Sequence, residues 1–278
     1  MAGKVWFITG VSGGFGRVLA EEAARNGDKV IGTVRQAGQL MEFNRISEGN
    51  TFAYLMDVTN PEGVKATVEA AFNHFGRLDV LVNNAGFGFL GAVEEASIKD
   101  FREVMETNFF GVLQVTQAIL PYMRRQGSGH IIQMSSVAGF RSTQGFGVYN
   151  ASKFALEGMS EALAQEVAPL GIKVTIVEPG PFRTNFAGTS IKSAQLEMPE
   201  YDATARVFKN NILGYAGQQE GDPQKAAQVI LQVVDAENPP LRLPLGNTAF
   251  SAVRNKLQQV AQDLENWEHL AAKTSFDS

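Results

Sequence analysis

The chain has 278 residues, no cysteine and a formal net charge of −5. Without cysteine there can be no disulfide, zinc thiolate or thiol nucleophile, which suits a reducing cytoplasm. With 44% hydrophobic and 19% charged residues it reads as a soluble globular protein, and no dense Lys/Arg cluster offers a nucleic-acid surface. The apolar run Val5–Ile8 is far short of the ~18 residues that a membrane span needs, so no membrane partner is expected. It runs straight into glycine-rich sequence, which also argues against a signal peptide. His74, His130 and His269 are far apart, lack metal-ligand spacing and read as surface or helix-end residues, so no metal is expected.

In chain order, short β-branched runs alternate with longer helical patterns. Strands are predicted at Lys4–Ile8, Lys29–Thr33, Thr51–Met56, Asp79–Val82, Gly129–Met134, Ile172–Val177 and Leu241–Leu245. Most are continuous apolar runs, as in parallel strands buried on both faces. A helix is predicted at Arg17–Asn26, after a glycine-rich turn. Others start at Asn60-Pro61, an N-cap followed by proline, and at Ser97 with Asp100 in a capping-box arrangement. Further helices are predicted at Tyr149–Ala168, from Asp222-Pro223 onward, and at Asn247–Glu268. The rhythm implies a single α/β domain over residues 1–278. It would be a Rossmann-type, doubly wound parallel sheet of about seven strands with helices on both faces. Residues 182–221 break the pattern. They are polar and interrupted by Gly and Pro, yet keep Phe186, Ile191, Phe208, Ile212 and other apolar residues. Following directly on a strand end, they are read as a substrate lid.

Three features carry chemistry. Thr9-Gly10-Val11-Ser12-Gly13-Gly14-Phe15-Gly16 joins the first strand to the first helix. Glycines there let the backbone turn tightly and approach a pyrophosphate, and the helix N-terminus offers free N–H groups. Gly10, Ser12, Gly14, Phe15 and Gly16 are therefore candidate cofactor-binding residues. Tyr149 and Lys153 lie one helical turn apart. The lysine charge would favour phenolate in a tyrosine whose ordinary pKa is about 10. Taken alone, the pair could equally be an ordinary helix surface. Third, the second strand ends Thr33-Val34-Arg35, with no acidic residue to accept hydrogen bonds from an adenosine ribose. Arg35 could instead pair with a 2′-phosphate. NADP(H) is thus favoured, with NAD(H) as the alternative cofactor.

The Thr-Gly-x-x-x-Gly-x-Gly spacing of the turn resembles the fingerprint of the short-chain dehydrogenase/reductase family. The resemblance extends from residue 4 to about 184. It implies that Asp57 and Val58 contact the adenine and that Asn84 and Gly86, in Asn83-Asn84-Ala85-Gly86, lie along the cofactor. It implies likewise that Pro179, Phe182 and Thr184 line the nicotinamide end, while Lys153 holds the nicotinamide ribose. Ser136 lies 13 residues before Tyr149, as in the family. The implied tetrad is Asn108, Ser136, Tyr149 and Lys153. Tyr149 is the acid/base, Ser136 orients the substrate oxygen, Lys153 lowers the tyrosine pKa and Asn108 completes a proton relay. Ser135 is given a lesser, structural role. In one respect the chain departs from the pattern: many NADP-dependent members carry a basic residue where Gly13 stands.

Tyr149–Gly158 and Gly32–Arg35 are similar to the 17β-hydroxysteroid and retinol dehydrogenase-like branch. That implies a carbonyl reductase or alcohol dehydrogenase for a bulky hydrophobic ketone or alcohol, with Phe87, Phe89, Phe140, Phe146, Phe182 and Phe186 as candidate pocket walls. Two other readings stay open: a reductase of 3-oxo groups on an acyl carrier, and a non-catalytic dinucleotide sensor. The long segment after Thr184 and the acidic surface count against the first. Retention of Ser136, Tyr149, Lys153 and Asn108 counts against the second. The apolar side chains of helix 149–168 point to a homodimer or homotetramer.

Overall fold

The computed structural model describes residues 3–276. Its first half runs β1 (Val5–Ile8), α1 (Gly14–Arg25), β2 (Lys29–Val34), α2 (Gly38–Asn44), β3 (Thr51–Leu55), α3 (Pro61–Phe75) and β4 (Val80–Asn83). It continues through β5 (Gly88–Leu90), α4 (Ile98–Met105), α5 (Gly111–Gln126), β6 (Gly129–Met134) and α6 (Gly147–Val167). The last third holds β7 (Ile172–Pro179), β8 (Ile191–Ser193), α7 (Val207–Gly214), α8 (Pro223–Asp235), β9 (Arg242–Leu245) and α9 (Asn247–Ala271).

Seven strands form one parallel sheet in the order β3-β2-β1-β4-β6-β7-β9. The chain winds outward from β1 to β3, returns to β4 on the other side of β1 and winds outward again. That reversal opens a crevice at the C-terminal ends of β1 and β4, where doubly wound sheets bind ligands. Alternate strand residues face opposite layers. Trp6 and Ile8 pack with Leu19 and Ala23 of α1 and Ile230 of α8. Val5 and Phe7 face the other layer, with Val68 of α3, Ile119 of α5 and Leu163 of α6.

Start signals behave as the sequence predicts. The Asn60 side chain accepts from Gly63 N at 3.1 Å, and the Asp222 side chain from Gln224 N at 2.8 Å. Ser97 and Asp100 form the full capping box. Helix α1, however, begins at Gly14 rather than Arg17, because the glycines of the turn already belong to its first turn. His130 is a correction. It lies inside β6, is buried, and places Nε2 3.0 Å from Thr175 Oγ1 on β7. The Thr175 hydroxyl donates to the Pro240 carbonyl at 2.8 Å, so it accepts from the His130 Nε2–H.

Residues 182–221 contain β8, two short 3₁₀ turns, a π turn at Asp202–Arg206 and α7. Phe182 and Gly221 bridge in parallel, so the two ends of the segment meet. β8 pairs in parallel with β5, forming a second, two-stranded sheet that the sequence reading lacks. Glu95 adds a further tie, accepting from Met198 N at 2.8 Å. Among the described residues no helix is long and apolar enough to cross a membrane.

Candidate active site

The glycine-rich turn sits in the crevice. Gly10 and Gly14 have φ of 71° and 58°, the left-handed region in which glycine is favoured. A Cβ on Gly16 would collide with the Asn84 side chain and the Gly10 carbonyl. Asn84 Nδ2 donates to the carbonyls of Thr9 and Gly10, both at 2.9 Å, and thus ties β4 to the turn. Gly86 approaches Asn108 closely, since a Cβ there would lie 3.0 Å from Asn108 Oδ1. No side chain caps the start of α1. Around Gly13 and Gly14 there is room, because added Cβ atoms would meet nothing nearer than Asn185 Nδ2 at 3.5 Å and Thr184 Cβ at 3.9 Å. Free N–H groups facing a notch of this kind suit a pyrophosphate.

Of the other residues expected to hold a cofactor, Phe182 and Thr184 lie beside the glycine turn. Ser12 is exposed, and the Phe15 ring lies 5.1 Å from that of Phe182. Thr184 Oγ1 accepts from Phe186 N, and Pro179 ends β7. Arg35 is exposed one residue beyond β2. Asp57 Oδ1 is engaged by Thr59, accepting from its N–H at 2.9 Å and its hydroxyl at 2.8 Å. Val58 is buried, close to Gly111 of α5.

Tyr149 and Lys153 project from α6, Ser136 follows β6, and Asn108 lies in a π turn, Glu106–Phe110, between α4 and α5. Asparagine competes with helical hydrogen bonding, and a π turn is a common way to accommodate such a residue. Its buried side chain clamps Phe87, with Nδ2 donating to Phe87 O at 2.9 Å and Oδ1 accepting from Phe87 N at 3.0 Å. Asn108 Nδ2 also reaches Ser152 Oγ at 3.1 Å, which joins the π turn to α6. Lys153 Nζ donates to the Met134 carbonyl at 2.7 Å and lies 5.8 Å from the centre of the Tyr149 ring. Burial lowers its pKa to about 8, opposed by the charge of Glu157. Burial likewise pushes the Tyr149 phenol above its ordinary value, and a hydrogen bond with Ser136 acts against that rise.

An apolar wall surrounds the phenol. Phe146 and Phe186 lie 5.2 Å and 5.5 Å from the Tyr149 ring, centre to centre, and Phe208 lies 4.8 Å from Phe146. Leu90, Ile191 and Ile212 complete it. Of the six phenylalanines expected as walls, Phe146 and Phe186 are there. Phe89 is core beside Val104 and Val148, Phe140 lies under the Arg242 guanidinium, Phe182 packs on Phe15, and Phe87 flanks the Phe89 cluster. Phe208 and Ile212, named above among the apolar residues of the lid, were missed as walls of the pocket, although their spacing of one helical turn was the available signal.

Glu157 was missed as well. One turn beyond Lys153 on the buried face of α6, it accepts from Ser135 Oγ at 2.6 Å and pairs with Arg242. Arg242 also pairs with the buried Glu178. Burial, and next the Glu157 charge, raise the pKa of Glu178 to about 7. Ser135 thus has the structural role expected of it.

A glycine-lined notch at the switch point, together with a serine–tyrosine–lysine cluster whose tyrosine and lysine are buried, is the architecture of a doubly wound dinucleotide-binding oxidoreductase. Residues 4–196 match the short chain dehydrogenase family profile. Oxidoreductase BOA17 of Botryotinia fuckeliana is 39% identical over 269 residues, 96% of this chain and 98% of that one. Retinol dehydrogenase 8 of Homo sapiens is 35% identical, over 87% of this chain and 81% of its own. A short-chain dehydrogenase from Streptomyces avermitilis superposes with a TM-score of 0.93 at 41% identity, covering 99% of this chain and 100% of that one. A short chain dehydrogenase/reductase from Burkholderia phymatum, solved in complex with NAD, superposes with a TM-score of 0.82 at 25% identity over 94% and 95% of the two chains. The chain belongs to the short-chain dehydrogenase family, in its retinol and steroid dehydrogenase-like branch.

Proposed function

We propose that this protein interconverts a bulky, apolar ketone or aldehyde and the corresponding alcohol, using NADP(H) in preference to NAD(H). The observation that carries the reading is the Tyr149 phenol, buried between Phe146 and Phe186 with Ser136 beside it. A nicotinamide dinucleotide would supply the hydride. The Gly10–Gly16 turn with Ser12 and Phe15 would hold its pyrophosphate. Asp57 and Val58 would take its adenine end, Asn84, Gly86 and Lys153 its middle, and Pro179, Phe182 and Thr184 its nicotinamide end.

Tyr149 hands its proton to the oxygen of the carbonyl being reduced, and takes it back in the reverse direction. A phenol whose pKa burial raises keeps that proton at neutral pH. Ser136 donates to the same oxygen as charge develops on it. Lys153 brings a positive charge to the Tyr149 side of the site. Asn108 holds the π turn against α6 and completes the proton path. Residues 182–221 act as the lid, since they supply Phe186, Phe208 and Ile212 to the wall. Arg35 pairs with a 2′-phosphate, with no carboxylate nearby on β2 to oppose it. On α6, Phe154 is 42% exposed, which supports a homodimer or homotetramer through that helix.

Initial rates of NADPH and NADH oxidation against ketones graded in apolar size test this reading. Long or polycyclic ketones should be reduced with the highest kcat/KM, and NADPH should be preferred. Arg35→Asp should reverse the cofactor preference. A complete absence of oxidation with every ketone would remove the catalytic reading in favour of a dinucleotide sensor. Better use of NADH by the unaltered chain would remove the NADP assignment alone.

A further inference from the structure

Helix α9 leaves the body of the protein soon after it starts. Ala249 and Ala252 are buried, and the first turns touch β9 and the 3₁₀ turn Val137–Gly139 that follows Ser136. From Leu257 to Ala271 every residue is exposed. That stretch extends ~22 Å at the 1.5 Å rise of an α-helix. A helix of this length without a packing partner is marginal in water.

The apolar residues of α9 are not scattered. Phe250, Val253, Leu257, Val260, Leu264, Trp267 and Ala271 follow one another at alternating spacings of three and four. This is a 3.5-residue period held over three heptads. It makes the narrow seam of a helix meeting another helix, not the wider stripe of a helix lying on a globular body. Leu257, Leu264 and Trp267 on that seam are 55%, 66% and 61% exposed.

The charges flanking the seam select the partner. In the heptad frame Arg254, Ala261 and Glu268 lie along one flank, and Lys256, Asp263 and the exposed Leu270 along the other. Two copies side by side in parallel would place Asp263 of each against Glu268 of the other, two like-charge contacts. Antiparallel copies crossing near residue 262 would pair Leu257 with Trp267 and Val260 with Leu264. The same register sets Arg254 against Glu268 on both sides of the dyad and Lys256 against Leu270, and among the charged residues only Asp263 meets its own copy. The helix is therefore complementary to itself in the antiparallel sense, which a two-fold symmetric dimer requires. A membrane surface is the poorer fit. Membrane-lying helices carry a Lys/Arg-rich polar face, whereas α9 has Arg254 and Lys256 against Asp263, Glu265 and Glu268.

We propose that α9 pairs with α9 of a second copy as an antiparallel two-stranded coiled coil, forming an oligomer contact separate from any made by α6. The contact adjoins the turn after Ser136, so the coiled coil braces the wall of the candidate active site from outside. The proposal does not depend on which substrate or cofactor that site takes.

The test is the particle mass of the full chain, by light scattering, with and without Leu257→Asp/Leu264→Asp. Both side chains lie beyond the body, so the variant should keep the thermal transition of the parent. The mass is expected to halve, from dimer to monomer, or from tetramer to dimer if α6 also pairs. An unchanged mass overturns the proposal, as does a parent chain that is monomeric at micromolar concentration. Orientation is read by single cysteines, which report cleanly in a chain that has none. Ala261→Cys should be joined to its copy by a short bismaleimide, and Gln262→Cys, on the outer face, should not; the opposite pattern overturns the antiparallel pairing. Arg254→Glu should weaken the dimer about tenfold, and Arg254→Glu/Glu268→Arg should restore it. Flotation with phosphatidylcholine/phosphatidylserine vesicles gives the rival outcome. Binding to vesicles that Leu257→Asp/Leu264→Asp abolishes, with no change in mass, would make α9 a membrane helix and overturn the pairing.

Discussion

Tyr149 is nearly out of contact with water, and burial makes its proton hard to lose. The phenol thus keeps its proton at neutral pH, the form that the proposed donor role requires. Removing only its oxygen tests the role without disturbing the packing. Tyr149→Phe keeps the ring between Phe146 and Phe186 and should lower kcat by about 10³-fold, within the range for loss of a general acid. Cofactor affinity, measured by NADPH fluorescence, should be unchanged. His130 makes a different prediction. Burial lowers its pKa to about 4, well below the ordinary value of 6.5, with the charge of Lys173 as a lesser cause. The unfolded chain therefore binds the proton more readily between these values, so stability is full above pH 6.5 and falls as the pH drops towards 4. The shift corresponds to about 3 kcal/mol. His130→Asn should flatten the dependence of Tm on pH across that window relative to the parent. Burial of this kind was not legible from sequence, because a histidine beside a glycine at a strand start gives no sign of which neighbour will cover it. The Ser136–Tyr149–Lys153 set was legible, because its spacings are local and were already tied to one helix and one strand end.

Between elements, Arg242 performs a job that no motif announced. It stands on β9 and pairs with Glu157 and Glu161 of α6 and with Glu178 of β7. The carboxylates in turn raise the Arg242 pKa against the effect of its burial. Loss of a shared partner strands charge in the interior, at a cost of about 3 kcal/mol. Arg242→Met should lower Tm accordingly, by more at pH 8 than at pH 5. The sign follows from Glu178. Its folded pKa of about 7 lies above the ordinary 4.5, so its burial is tolerated when protonated and becomes costly as the pH rises through 7. Adding Glu178→Gln to Arg242→Met should recover part of the loss. The long elements were readable from sequence, since buried parallel strands are continuous apolar runs and three helix starts carried explicit caps. The short ones were not. β5 and β8 have three residues each, too few to show a period, and their pairing depends on Ile191 reaching Gly88 from a distant part of the chain. The π turn around Asn108 was hinted at only by a residue type that suits helix interiors poorly.

Across the whole molecule, the doubly wound parallel sheet followed from the β-α-β rhythm, and the structure adds the strand order, with its reversal and crevice at β1 and β4. What lay beyond the rhythm was how residues 182–221 sit on that frame. Their ends meet at the Phe182–Gly221 bridge, and their middle is held by β5 and Glu95. Because the ends already touch, changing the segment's length costs little, about 0.6 kcal/mol for each doubling of a flexible loop. Grafting the equivalent segment of a relative between Asn185 and Glu220 should alter the ranking of ketones by kcat/KM while leaving the KM for NADPH within about twofold, since the glycine turn, Arg35 and Thr184 lie outside it. The bridge gives the protein a kind of socket. On the reading proposed above, the handling of hydride and proton would belong to the sheet frame, and the choice of molecule to a segment that can be exchanged as a cassette. New specificities can then arise by replacement of one contiguous stretch of chain, with the catalytic frame carried over intact.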